Sequence, residues 1–213
     1  MEMTIRVGLR RGMSAVLLAM AGMLVAPMVL AGGQRVAVTD PAGDAGFDGG
    51  SAPLYQDIVK AGISLKDGRF TFTMEVAAPV PRHPALTAPG SNHIWWSWLI
   101  DTDLATEPEG CPSSSGVPHR TEFNVVISWD GTAFTGFLND RRPLLTGGDV
   151  AVTPLSFSIK GATLMASARA SLLGSPSSFV WTGATIDWNS PGCSESLFIL
   201  DFAPPPPFGT WPA

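Results

Sequence analysis

The chain has 213 residues, with 13 basic and 18 acidic side chains and 45% hydrophobic residues. Residues 1–31 hold Arg6, Arg10, Arg11 and Glu2, so the remainder carries ten basic and seventeen acidic side chains, a net charge of −7. That remainder is the size of one domain with an ample core. Its negative charge, with no basic cluster to offset it, makes nucleic acid a poor partner.

The N-terminus reads as a secretory leader. Arg6, Arg10 and Arg11 precede an apolar run from Met13 to Leu30, and Val29-Leu30-Ala31 places small residues where a signal peptidase cuts. Residues 1–31 are therefore expected to be a signal peptide cleaved after Ala31, which makes the protein secreted or periplasmic. The alternative is a retained membrane anchor, because the run approaches the roughly 20 residues that span a bilayer. No later apolar run is long enough to cross a membrane, so the mature chain is read as having no transmembrane segment.

Beyond the leader the dominant period is two. Phe70, Phe72, Met74 and Val76 alternate with Arg69, Thr71, Thr73 and Glu75, and Phe123 to Trp129 alternates in the same way. Such alternation marks strands with one buried face. In chain order the predicted strands are Arg35–Thr39, Ile58–Leu65, Phe70–Val76, Ile94–Ile100, Phe123–Trp129, Ala133–Phe137, Leu155–Ile159, Thr163–Ala168, Phe179–Trp188 and Leu197–Asp201. Asp67-Gly68 and Asp130-Gly131 are hairpin signals between consecutive strands. Ala170–Leu173 reads as a single turn. Many short strands punctuated by Gly and Pro predict an all-β, antiparallel, jelly-roll-like sandwich over residues 32–203. Residues 204–213, opening on Pro204 to Pro207, read as a proline-rich C-terminal tail, either a strap on the sandwich or a docking segment.

Cys111 and Cys193 sit in turn-rich surroundings and are expected to form a disulfide in an oxidising compartment. The loop closed would be roughly 80 residues, worth about 4 kcal/mol on the chain-entropy model. Neither cysteine has a second metal ligand at short spacing.

Two acidic groups stand out. Asp40-Pro41-Ala42-Gly43-Asp44, with Asp48 and then Asp57, forms a glycine-rich opening that offers oxygen ligands of the kind calcium takes. The same aspartates also serve as turn formers that hydrogen-bond their own backbone. Asp101 and Asp103 share one face at a strand end, and pairing with the next strand brings Glu122 near. These three bind a cation, act as a glycosidase pair, or are solvated strand-end residues. No nucleophile elbow, zinc-protease helix or phosphate loop is present, so no catalytic residue is assigned and binding is favoured over catalysis.

The stretch Trp95-Trp96-Ser97-Trp98 holds three of the seven tryptophans. Alternation separates Trp95 from Trp96 and Trp98. Trp96, Trp98, Trp129 and Trp181 are assigned to the core. Trp95 and Trp188 remain as candidate sugar-stacking residues. Haem would need axial Met and His ligands in a pocket. Met74 reads as core, and no Cys-x-x-Cys-His site exists.

The order Asp40-x-x-Gly43-Asp44, Asp57-Ile58, a hairpin, Ile100-Asp101-Thr102-Asp103, Thr121-Glu122-Phe123 and Leu172-Leu173-Gly174 before Phe179-Val180-Trp181 resembles a group of secreted bacterial β-sandwich domains. That group is similar to DOMON-like and family 9 carbohydrate-binding modules. The resemblance runs from about Asp40 to Asp201. It implies a structural calcium near the first strand, with Asp40, Asp44 and Asp57 as candidate ligands and Asp201 as a weaker one. It also implies sugar or, in some DOMON domains, haem as ligand. The expectation is a non-catalytic binding module for carbohydrate or cell-envelope components with a calcium-stabilised fold. The alternative is a structural or protein-interaction domain of the envelope with no small ligand.

Overall fold

The structure, a computed structural model, describes residues 33–47, 50–87, 90–103, 121–188, 197–204 and 208–212, with backbone only at 47, 50, 188 and 197–200. The predicted leader (residues 1–31), Asp48, Cys111 and Cys193 lie outside the described residues. Among the described residues no helix is long and apolar enough to cross a membrane.

The described residues form fourteen strands: β1 (Gln34–Thr39), β2 (Gly46–Phe47), β3 (Gly50–Ser51), β4 (Ile58–Lys66), β5 (Arg69–Val76), β6 (His93–Asp101), β7 (Phe123–Trp129), β8 (Phe134–Asp140), β9 (Ala151–Pro154), β10 (Ser156–Lys160), β11 (Thr163–Arg169), β12 (Phe179–Trp188), β13 (Leu197–Ala203) and β14 (Gly209–Trp211). Twelve of them build two antiparallel sheets, consistent with a β-sandwich, and β2 pairs with β3. One has the order β1-β4-β5-β11-β10. The other runs β13-β12-β6-β7-β8-β9, with β14 also on β12. The predicted all-β class is what the chain adopts.

Local chemistry explains the elements. Asp67 and Gly68 take φ of 50° and 69° between β4 and β5, the left-handed pair that a two-residue hairpin turn requires. β9 pairs with β8, whereas β10 pairs with β11, so the chain changes sheet at Leu155. The Leu155 amide donates to the Gly136 carbonyl at 2.9 Å, and a Cβ on Gly136 would lie 2.6 Å from the Phe157 ring. Only glycine lets the backbone and ring approach so closely at this corner.

The core lies between the sheets. Phe70, Phe72, Met74 and Val76 of β5 face Ile94, Trp96, Trp98 and Ile100 of β6, all buried. Each such side chain contributes about 2–3 kcal/mol through burial. Phe72 and Trp98 rings meet at 5.8 Å. The Trp96 and Trp98 indoles donate to the carbonyls of Tyr55 and Thr73. Trp129 and Trp181 complete the aromatic core, as expected from the sequence.

The C-terminal tail belongs to this core. β14 pairs with β12, and Trp211 is 1% exposed, stacked on Phe179 at 5.8 Å. The sandwich therefore continues past residue 203. The indole of Trp211 covers the end of the core beside Phe70.

Candidate metal centre

β1 carries Asp40 just past its end, where the Asp40 amide extends the ladder by donating to Val59. Asp44 follows in the turn that leads to β2. Asp201 comes from β13 in the opposite sheet. One carboxylate oxygen from each of Asp40, Asp44 and Asp201 lies within 4.8 Å of the others. Two strand irregularities bring these elements together. β4 carries an extra residue between Ile58 and Lys60, and β13 carries one opposite Thr185 and Ile186. Bulges re-aim side chains and cluster near functional sites. Here the Ile58 amide at one bulge donates to Asp201 Oδ2 beside the other, at 2.5 Å.

The electrostatics are unfavourable without a cation. Burial pushes the Asp40 carboxyl up to about 6, with Asp44 and Asp57 adding repulsion and a side-chain hydrogen bond with Asp201 opposing it. Burial pushes Asp201 up to about 7; the Ile58 and Phe202 amides offset part of this, and Asp40 and Asp44 add to it. Asp57 is 1% exposed. Its Oδ2 accepts the Gly43 amide at 2.7 Å and so fixes the loop that bears Asp44. Its Oδ1, like Asp40 Oδ2, is buried without a hydrogen-bond partner. Such orphaned oxygens are costly unless something satisfies them. The donor set is oxygen only, which suits a hard cation such as calcium and not zinc or copper.

Of the four sequence-nominated ligands, Asp40, Asp44 and Asp201 converge, and Asp57 supports the loop from beneath. The second acidic group is built differently. Glu122, 2% exposed, accepts the Thr102 amide at 2.6 Å and the Thr102 hydroxyl at 3.2 Å. Asp101 accepts the Asp103 amide at 3.1 Å. Glu122 holds the end of β6 to the start of β7, and Asp101 braces the turn that leaves β6.

The nominated sugar-stacking residues fare unequally. Trp95 does lie on the opposite face from Trp96 and Trp98. It is only 8% exposed, packed among Leu99, Val126 and Ile186 with its ring edge-on to Phe137 at 5.8 Å. The outer face of the seven-stranded sheet has an apolar cluster of its own, so the Trp95 indole is not an open platform. The backbone of Trp188 pairs with His93, and its side chain lies outside what is described.

Sequence reasoning passed over Gln56. It is fully buried, donates from Nε2 to Asp187 at 2.5 Å, and its carbonyl accepts the Thr185 hydroxyl at 2.6 Å. This network ties the segment before Asp57 to β12. The only sequence signal was adjacency to Asp57. Comparison with protein-family models and with curated proteins finds no match for the chain.

Proposed function

We propose that this chain is a secreted, non-catalytic binding module whose sandwich is clasped by calcium and whose ligand is a carbohydrate. The observation that carries the reading is the convergence of Asp40, Asp44 and Asp201 from the two sheets. Calcium is bound by about six to eight oxygens. The three aspartates supply some of them, and Asp57, outside that group, fixes the loop that bears Asp44 through the Gly43 amide. A cation here joins the start of β4, the β1 exit and β13, which is a role in stability and placement. The carboxylates that looked most like a hydrolytic pair, Asp101 and Glu122, each commit one oxygen to a backbone donor of the β6 exit. That favours binding over hydrolysis. Carbohydrate as ligand class rests on the sequence resemblance noted above and on the in-register Ser64, Thr71, Ser167 and Ser156 of the five-stranded sheet.

Two measurements test the proposal. Thermal unfolding in calcium against chelator is expected to show a calcium-dependent rise in Tm; an unchanged Tm sinks the metal site. A glycan array is expected to show binding. Absence of any glycan binding at millimolar concentration favours an envelope-interaction domain without a small ligand.

A further inference from the structure

Register across the five-stranded sheet places like charges side by side. Lys66 of β4 lies opposite Arg69 of β5, and Arg69 lies opposite Arg169 of β11. All three are exposed and point away from the core, because their neighbours Leu65, Phe70 and Ala168 point into it. Like charges directly opposite on a sheet are destabilising. Arg35, Lys60 and Lys160 occupy the same outer face, so it carries six of the ten basic side chains that follow the leader. Glu75 is the one acidic residue on its described strands, and Asp67 lies in the connecting turn. Among the described residues none of the six cations forms an ion pair, whereas Arg142 is clamped on Asp140 at 2.6 Å.

A hydroxyl row runs beside this cationic row. Ser64, Thr71, Ser167 and Ser156 pair in register across four strands. A cavity of about 220 Å³ lies beside the two rows, with Arg69, Arg169, Ser156 and Ser167 on one side and apolar residues that include Leu155 and Leu172 on the other. The face thus offers guanidinium forks for carboxylates beside small hydroxyls for a polyol. A single-stranded nucleic acid would call for aromatic rings to stack its bases, and the outward residues of these five strands include none. A lipid surface would favour an apolar rim over a serine and threonine ladder.

We propose that the outer face of the five-stranded sheet binds an acidic polysaccharide, with carboxylates on the Lys66–Arg69–Arg169 row and hydroxyls on the Ser64–Thr71–Ser167–Ser156 row. This rests on the carbohydrate-binding reading above and names its substrate class. The test uses the full domain with saturating calcium, hyaluronan as the carboxylate-bearing probe and dextran as the neutral one. Hyaluronan binding is expected at low salt and is expected to weaken as salt rises. The double variant Arg69→Ser/Arg169→Ser is expected to lose about tenfold or more in affinity, since each charge-assisted contact contributes on that order. Its Tm is expected to hold or rise, because a repulsive row is relieved. Glu75→Gln, on the same face, is expected to strengthen binding. Equal hyaluronan affinity in the double variant overturns the proposal, as does binding of phosphatidylglycerol vesicles without hyaluronan. Dextran binding that ignores the substitutions, with no hyaluronan binding, overturns it while leaving the broader carbohydrate reading intact. Binding of neither polymer overturns it too, and the glycan array then decides the broader reading.

Discussion

The two acidic groups of this domain share composition and differ in what answers their charge. Glu122 is more buried than Asp40, yet two donors of Thr102 meet its carboxylate, and Arg141 acts on it from the start of the following segment. The charges that act on Asp40 and Asp201 are other carboxylates, and the two groups are pushed up to about 6 and about 7. Burial alone therefore does not separate a structural carboxylate from a site. The balance of donors and counter-charge does.

The largest expected effect breaks the satisfied group. Glu122→Ala strands the Thr102 amide and leaves the buried Arg141 guanidinium, whose pKa burial lowers and Glu122 supports, without its opposite charge. A loss of about 3 kcal/mol is expected, which lowers Tm by about 6–12 °C in a domain of this size. Glu122→Gln keeps an acceptor and is expected to lose about half as much. A neutral Glu122→Ala variant in thermal unfolding would show that donors do not decide the comparison.

Next in size is the cation. Calcium at about 100 times its Kd is expected to add about 2.7 kcal/mol to stability. Asp201→Asn is expected to abolish that gain while changing the stability of the metal-free domain little, because relief of the repulsion from Asp40 and Asp44 opposes the loss of one of the two oxygens that accept the Ile58 and Phe202 amides. Calorimetric titration and Tm in the same buffers check both. A calcium response that survives Asp201→Asn removes this residue from the site.

A smaller effect follows from pH. Asp40 and Asp201 have folded-state pKa values above the ordinary 3.8. Their contribution is therefore fully present below about pH 4 and is lost as pH rises through about 6 to 7. The metal-free domain is expected to have a higher Tm at about pH 5 than at about pH 7.5, with Asp201→Asn flattening the difference. Calcium at about pH 7.5 is expected to recover what the pH rise removes, and to do little near pH 4, where the ligands are protonated. A flat metal-free profile across this window contradicts the contrast drawn between the two groups.

Much of this arrangement is written in local patterns. The Phe70–Val76 alternation specifies both the face and the length of β5, because a side-chain period of two leaves no other way to bury four large groups together. The split of Trp95 from Trp96 and Trp98 follows from the same rule. Its burial does not, since alternation says nothing about what packs over the second face. β9 is equally hidden: Ala151–Pro154 carries no buried side chain to announce it, and its partner β8 is set by the corner at Gly136. In the tail, Pro204 to Pro207 dominate the composition and suggest a strap, while one indole, Trp211, decides where that strap lies. In the candidate site, Asp40, Asp44 and Asp57 are legible as a local cluster. Asp201 joins them from far along the chain through two bulges, and bulges leave no mark in a single sequence.

The smallest effect isolates the remaining variable. Asp130 is fully exposed, and the slight desolvation it feels works against the shift, yet its carboxyl is held down at about 2 by the Thr132 hydroxyl and by the Ala133 and Thr132 amides. It is the case of donors without burial, where Glu122 has both and Asp40 has burial with too few donors. A lowered pKa contributes stability above the ordinary 3.8 and loses it as pH falls through about 2. Asp130→Ala is expected to lower Tm slightly at neutral pH, with the difference fading toward pH 2. Asp130→Asn, which keeps an acceptor for the same turn, is expected to fall between the two. Carbon-detected NMR titration of the Asp130 carboxyl is the direct reading. A value near 3.8 would mean that these three donors do not hold the charge in solution, and the argument from donors would then rest on buried sites alone.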